Sequence, residues 1–288
     1  MDQREIVVTG AGGFVGRRLT ARLRALGHAV TALAHRNEID VTDAAAVEKA
    51  VTSAQVIIHL AARVFVPDSF REPAAFYRTN VLGTVHLLDA ARRTGARFIL
   101  ASAYVYGRPQ SLPIREEHPL SAHSPYTETK IIAEQIFRSY HESFGVAGTI
   151  LRPYNIYGPG QDARFLIPSL LAQSRTGRLT LQSSRPRRDF VYVDDVVEAY
   201  VKAIQSDQAS LEIYNIASGE SWPVAEVVEL FRSLHGKTLS VEYAEQERPN
   251  EIEDTRADIS RARTELGWTP AVSLQEGLRR TIEAFAAA

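Results

Sequence analysis

The heptapeptide SPYTETK (124–130) holds the only Tyr-x-x-x-Lys pair in a chain with 11 tyrosines and four lysines, the latter at positions 49, 130, 202 and 237. Ser124 followed by Pro125 fits a helix start, with serine as N-cap and proline at the first helical position. Tyr126 and Lys130, four residues apart, then share one helix face. A phenol with an ordinary pKa of about 10 is a poor base near neutrality. A neighbouring ammonium, an oxidised nicotinamide and a helix N-terminus each favour the phenolate, and together they make tyrosine a usable proton shuttle for an alcohol or sugar oxygen. Alone, the pair fits equally well an exposed tyrosine and a solvated lysine on a surface helix.

The segment TGAGGFVG (9–16) supplies the context that such a shuttle needs. It places Gly10, Gly13 and Gly16 three residues apart, between a β-branched run (EIVVTG, 5–10) and a helical pattern from Phe14 to Leu26. In a dinucleotide-binding turn the first glycine permits the tight bend, the second lets backbone approach a pyrophosphate, and the third lets the helix pack close to the sheet. The N–H groups opening the helix would meet the phosphates. The spacing is G-x-x-G-x-x-G rather than G-x-G-x-x-G, which points to a subgroup of nucleotide-binding folds.

Further apolar strands are expected at 28–35, 54–62, 96–103 and 148–155, with helices over about 42–52, 70–94 and 125–144. Near-continuous apolar strands alternating with amphipathic helices predict an α/β, doubly wound (Rossmann) fold with a parallel sheet covered on both faces. Beyond Gly160 the alternation weakens, which predicts a smaller interleaved α/β substrate domain. The expected division assigns 1–155 with 187–217 to the dinucleotide-binding domain and 156–186 with 218–288 to the substrate domain. RRDFVYVDDVVEAY (187–200) and LEIYNIAS (211–218) are expected to return to the main sheet. His59, inside an apolar strand, reads as a packed core residue.

Charge nearly cancels, 33 basic against 34 acidic residues, so no nucleic-acid or anionic-membrane footprint is expected. The chain lacks cysteine, which removes disulfides and thiolate metal sites, and no metal-ligand spacing is visible. No apolar run approaches the roughly 20 residues of a membrane span. MDQREIVVTG enters a strand without a signal peptide's layout, and a cytoplasmic protein is expected.

With these motifs in order, and with TNVLGT (79–84), SAYVYG (102–107), RPYNIYGPG (152–160) and RRDFVYVDD (187–195) between them, the sequence resembles the extended short-chain dehydrogenase/reductases of the epimerase/dehydratase family, which act on nucleotide sugars. The likeness covers nearly the whole chain. It implies a catalytic set of Ser102, Tyr126 and Lys130, the lysine also holding the nicotinamide ribose. It implies cofactor contacts from Gly10, Gly13, Phe14, Val15 and Gly16 in the turn, and from Leu60, Ala61, Ala62 and Asn80 beyond it. Asp40 and Val41 would contact adenine. For the nucleotide-diphosphate sugar it implies Ser102, Tyr104, Asn155 against the phosphates, and Arg188 with Arg248 as a diphosphate clamp, for which guanidinium forks suit.

Family dehydratases carry an Asp-Glu pair directly after the catalytic hydroxyl residue, and the decarboxylases a glutamate; Ala103 and Tyr104 stand there. Hydride traffic at sugar C4 remains, as a 4-ketoreductase or a 4-epimerase. The second strand ends in Ala34-His35-Arg36 without the carboxylate that selects NAD. Arg36 could pair with a 2′-phosphate, so NADP(H) is the expected preference; Glu38 and Asp40 lie close by, so NAD(H) stays possible. The short link from Arg36 to Asp40 and ERPNEIED (247–254) resemble compact reductases of the family, which tilts the expectation to reductase. Apolar stripes on helices 76–94 (Phe76, Val81, Leu87, Leu88) and 125–144 (Ile131, Ile132, Ile136, Phe137), together with the resemblance, predict a homodimer.

Overall fold

The computed structural model describes residues 3–34, 39–206, 209–245 and 251–287. The first half runs β1 (Glu5–Thr9), α1 (Phe14–Ala25), β2 (Ala29–Leu33), α2 (Ala44–Ala50), β3 (Val56–His59), α3 (Val66–Arg71), α4 (Pro73–Phe76), a π-helical turn (Tyr77–Leu82), α5 (Gly83–Thr94), β4 (Arg97–Ala101), α6 (Pro125–Phe144) and β5 (Gly148–Pro153). The second half runs β6 (Asn155–Tyr157), α7 (Leu166–Ser174), β7 (Arg178–Leu181), β8 (Arg187–Tyr192), α8 (Val193–Gln205), β9 (Leu211–Ile216), β10 (Ser221–Pro223), α9 (Val224–His235), β11 (Ser240–Tyr243), α10 (Ser260–Thr264) and α11 (Leu274–Ala286).

Six strands form the central sheet in the order β2-β1-β3-β4-β5-β9, every pairing parallel. Strand β1 explains the double covering. Ile6 and Val8 join the core cluster of Leu19, Leu23 and Tyr200, whereas Val7 between them joins Leu87, Leu88 and Phe137 on the opposite face. Successive residues of a strand face opposite ways, so a run of buried aliphatics marks a sheet with helices on both sides. The winding direction reverses between β1 and β3, and their carboxyl ends open the crevice where open α/β sheets bind ligands. β2 is left at the edge.

Two expectations need correction. The helix expected over 70–94 breaks at Glu72, where φ −129° and ψ 53° precede Pro73, because the residue before proline is pushed out of the helical region. It then passes through the π-helical turn before α5. The second correction concerns β8. It joins a three-stranded sheet, β10-β8-β6, parallel to β6 and antiparallel to β10. β9 pairs along the whole of β5 and so fills the place in the main sheet that β8 was expected to share. β7 and β11 form a separate parallel pair. No helix among the described residues is long and apolar enough to cross a membrane.

The stripes on α5 and α6 are largely consumed inside the protomer: Phe76, Leu87, Leu88, Ile131 and Phe137 are all buried. Tyr77 and Leu82 remain 38% and 41% exposed.

Candidate active site

The glycine turn joins β1 to α1 as tightly as its spacing implies. Gly10 has φ +68°, and a Cβ there would lie 2.7 Å from the backbone nitrogen of Ala61. At Gly16 a Cβ would lie 2.2 Å from the Gly10 carbonyl oxygen. Gly13 is the N-cap of α1 and offers no side-chain oxygen to the first-turn N–H groups, which leaves that helix end suited to an anion. Phe14 and Val15 are half-buried against the second-half cluster around Tyr157. A cradle lined by backbone and closed to any larger side chain fits a dinucleotide's pyrophosphate.

The far wall is the segment after β3. Leu60 N–H donates to the Thr9 carbonyl at 3.3 Å, and Ala61 N–H donates to Thr9 Oγ1 at 3.2 Å. Ala62 is half-buried beside them. Asn80, on the π-helical turn, spends its amide on position: Oδ1 accepts from Arg63 N–H at 2.8 Å, and Nδ2 donates to the Arg63 carbonyl and to Thr129 Oγ1 at 3.0 and 2.9 Å. It ties this wall to α6. His59 is a core residue, bonded to Thr9 Oγ1 and Thr84 Oγ1 at 2.9 and 3.1 Å. Thr84 already donates to the Asn80 carbonyl, so His59 Nε2 is the donor and Nδ1 the acceptor. Burial, with a smaller contribution from the Lys130 charge, lowers its pKa to about 3.

Asp40 is exposed and accepts at one oxygen from both Thr42 N–H and Thr42 Oγ1, each at 2.9 Å. Val41 is buried against α5, where a Cβ on Gly83 would come within 2.7 Å of it. Arg36 lies outside the described residues, as does Arg248.

Helix α6 presents the remaining candidates. Ser124 Oγ accepts from Thr127 N–H at 3.1 Å, Pro125 takes the first helical position, and the helix ends at Gly145, φ +72°. Tyr126 is half-buried, edge-on to Phe76 at 6.4 Å between ring centroids, and burial raises its phenol pKa above the usual range. Lys130 is buried. Burial brings its pKa down to about 8, with the Glu134 carboxylate pulling upward less strongly. Ser102, the residue after β4, is buried and donates from Oγ to Glu134 Oε1 at 2.5 Å.

The structure adds residues that the sequence reading missed. Glu134, one turn beyond Lys130, pairs with Arg152 of β5, both completely enclosed. The four-residue ladder Tyr126, Lys130, Glu134 was a usable signal; nothing local marks Arg152. Asp189, beside Arg188, is buried and accepts from Ser218 N–H and Oγ, both at 2.7 Å, and from the Gly219 and Ala257 N–H groups. Burial raises its pKa to about 7 despite these donors.

Of the sugar-side candidates, Asn155 and Arg188 lie on β6 and β8 of the second half, and Tyr104 lies in the loop between β4 and α6. Asn155 Nδ2 donates to the Asp189 carbonyl at 2.9 Å. Arg188 donates to the Ile252 carbonyl at 2.7 Å and pairs with Glu251. Tyr104 stands among Tyr106, Tyr154 and His123 and donates its hydroxyl to the Gly107 carbonyl at 2.6 Å. Arg188 bears electrostatically on both Tyr104 and His123, which groups the three around one region.

A model of the NAD dependent epimerase/dehydratase family matches residues 6–217. The chain belongs to that family. Among its relatives, the UDP-glucose 4-epimerase of Mycolicibacterium smegmatis is 31% identical, the match covering 97% of each chain. The GDP-6-deoxy-D-mannose reductase of Pseudomonas aeruginosa is 32% identical over 97% of this chain and 96% of the relative. The solved structure of RMD from Pseudomonas aeruginosa complexed with NADPH superposes with a TM-score of 0.90 at 28% identity, covering 99% of both chains. Epimerase/dehydratase members thus similar to this chain include both epimerases and a reductase, on one fold.

Proposed function

We propose that the protein is a nucleotide-sugar oxidoreductase moving hydride at C4 of the sugar, working as an NDP-4-keto-(6-deoxy)sugar reductase with NADP(H) preferred over NAD(H). The observation that carries this reading is Tyr126, half-buried on α6 one turn before the buried Lys130, where a phenol that burial biases further toward its protonated form can give a proton to a keto oxygen. Ala103 and Tyr104 support it. Neither is an acid, and the Tyr104 hydroxyl is engaged with Gly107, so the pair offers no group for eliminating water across the ring.

A bound nicotinamide would supply the hydride. The chain's own part is to hold and protonate. The turn from Gly10 to Gly16 and the first N–H groups of α1 hold the pyrophosphate. Tyr126 gives its proton to the C4 oxygen, and the Lys130 ammonium, one turn along the same face, offsets the negative charge left on the phenol oxygen. Asn155, Arg188 and Arg248 hold the sugar's diphosphate, which must share Arg188 with Glu251 or displace it. Arg36 pairs with a 2′-phosphate.

A second reading, a 4-epimerase with tightly bound NAD, is favoured by the likeness to the mycobacterial epimerase. Absorbance at the reduced-nicotinamide band separates the two. Supplied with a nucleotide-linked 4-keto-6-deoxy sugar, a reductase consumes one NADPH per sugar. A change of configuration in a 4-hydroxy sugar nucleotide without net cofactor change would replace this reading with the epimerase.

A further inference from the structure

Glu134 collects three contacts in a region closed to solvent. Arg152 donates from Nε to Oε1 at 2.9 Å and from Nη2 to Oε2 at 2.6 Å, and Ser102 Oγ lies 2.5 Å from Oε1. The direction of every bond follows by elimination. A guanidinium has five donors and no acceptor, and an ionised carboxylate only accepts. The serine must therefore spend its single O–H on Glu134. The other side of Arg152 obeys the same rule. Nη1 donates to the Tyr106 hydroxyl at 2.8 Å and to the Glu116 carbonyl at 2.9 Å. Tyr106 then donates to Asn215 Oδ1 at 2.6 Å, and Asn215 Nδ2 donates to the Ile114 carbonyl at 3.0 Å. Reversing any link would set two donors or two acceptors face to face.

We infer that Glu134 is a positioning residue for the chemistry at C4: it turns the Ser102 proton into the protein, so that Ser102 meets the C4 oxygen of the sugar as a hydrogen-bond acceptor. A C4 hydroxyl has a proton to give to such a serine; a C4 ketone has none. Tyr126 is then the sole donor to the ketone, and the site binds the reduced sugar better than the keto form, which shifts the equilibrium between the two bound forms, though not between the free sugars, toward the reduced one. This inference rests on the C4 reading above. The alternative role is a brace only, since breaking a buried ion pair destabilises a fold whatever else the pair does.

Glu134→Gln separates the two. With the amide NH2 at the Oε1 position it faces both Ser102 Oγ and Arg152 Nε, so Arg152 keeps only its Nη2 bond to the amide oxygen, and the serine, now accepting from the NH2, has its proton released toward the site. The probes are UDP-6-deoxyglucose and UDP-4-keto-6-deoxyglucose with NADP+, titrated calorimetrically in a Tyr126→Phe background so that neither is turned over. With Glu134 present, the hydroxy sugar should bind about tenfold tighter than the keto sugar. In Glu134→Gln and in Ser102→Ala the ratio should fall to within about twofold. Equal weakening of both sugars, with the ratio kept, would reduce Glu134 to a brace and overturn the inference. If Glu134→Gln does not fold, Glu134→Leu/Arg152→Leu removes both charges and frees the serine in the same way. A readout without ligand is a low-field exchangeable proton from the short Ser102–Glu134 bond, expected in the wild type and absent from Ser102→Ala and Glu134→Gln. Its survival in Ser102→Ala also overturns the inference. Binding of neither sugar counts against the proposed function, and the proton signal still decides which way Ser102 points.

Discussion

Lys130 donates from Nζ to the Ala101 carbonyl at 2.8 Å, pinning α6 to the last residue of β4, directly before Ser102. One hydrogen bond thus fixes the lysine, the serine and, one turn back along the helix, Tyr126 in a common frame. It also costs the lysine its hydration, and burial is the leading cause of its pKa falling from 10.5 to about 8.

That shift has a signed consequence. Between pH 8 and about 10.4 an unfolded chain keeps this proton while the folded one has lost it. Stability rises with pH wherever the unfolded state binds more protons, so the cost of burying the charge is complete below pH 8 and relieved above it. Relative to Lys130→Met, the wild type should gain up to about 3 kcal/mol between pH 7.5 and 10.4, read by urea unfolding at each pH. A gap that stays constant would place the lysine's titration at its ordinary value. The proposed role of the ammonium predicts in addition that kcat/KM of the wild type declines above about pH 8, since that parameter reports groups of the free enzyme.

Tyr126→Phe removes one oxygen from the face of α6 and leaves the glycine turn untouched. Turnover should drop by at least about 100-fold, while dinucleotide binding, followed by nicotinamide fluorescence, stays within about twofold of wild type. Near-normal kcat in this variant would remove Tyr126 from the chemistry.

Arg36→Ala tests the cofactor preference. Loss of a charge-assisted contact to a 2′-phosphate should weaken NADPH by about 1–3 kcal/mol and leave NADH nearly unchanged. Equal losses for both cofactors would show that the arginine does not read the phosphate.

For assembly, the proposal is a homodimer in which α5 and α6 of two copies form a four-helix contact. Most of the apolar stripe is already buried within the protomer, so the exposed Tyr77 and Leu82 near the start of α5 become the informative positions. Light scattering at micromolar concentration should give twice the 31.9 kDa chain mass, and Leu82→Asp should shift it toward the monomer. A monomeric wild type would end the proposal.

What the sequence made legible were features enforced locally. Gly10 is required by its own positive φ and Gly16 by its approach to the Gly10 carbonyl, both within eight residues of chain, and α6 is bounded by its own caps, Ser124 and Gly145. The buried runs in β1, β3 and β5 state a two-sided sheet directly. The placement of β8 was not legible, because it depends on a competition with β9 for the edge of β5, and both segments read equally well as strands. The pairing of Glu134 with Arg152 was hidden for a different reason, although the four-residue ladder ending at Glu134 was there to be read. Charged residues are usually solvated, and only the fold brings two of them, 18 residues apart, into one closed space. The Glu251 partner of Arg188 is likewise a product of tertiary placement.

β2 lies on the rim of the sheet, with no further strand beyond it among the described residues. Such a rim offers unsatisfied backbone groups on which a second chain could zip up by strand pairing. β2 has only five residues, and Arg24 reaches over from α1 to donate to the Val30 carbonyl at 3.3 Å. A guanidinium laid across the rim covers a backbone acceptor and adds a charge where another strand would have to dock, which disfavours growth into a continuous intermolecular sheet.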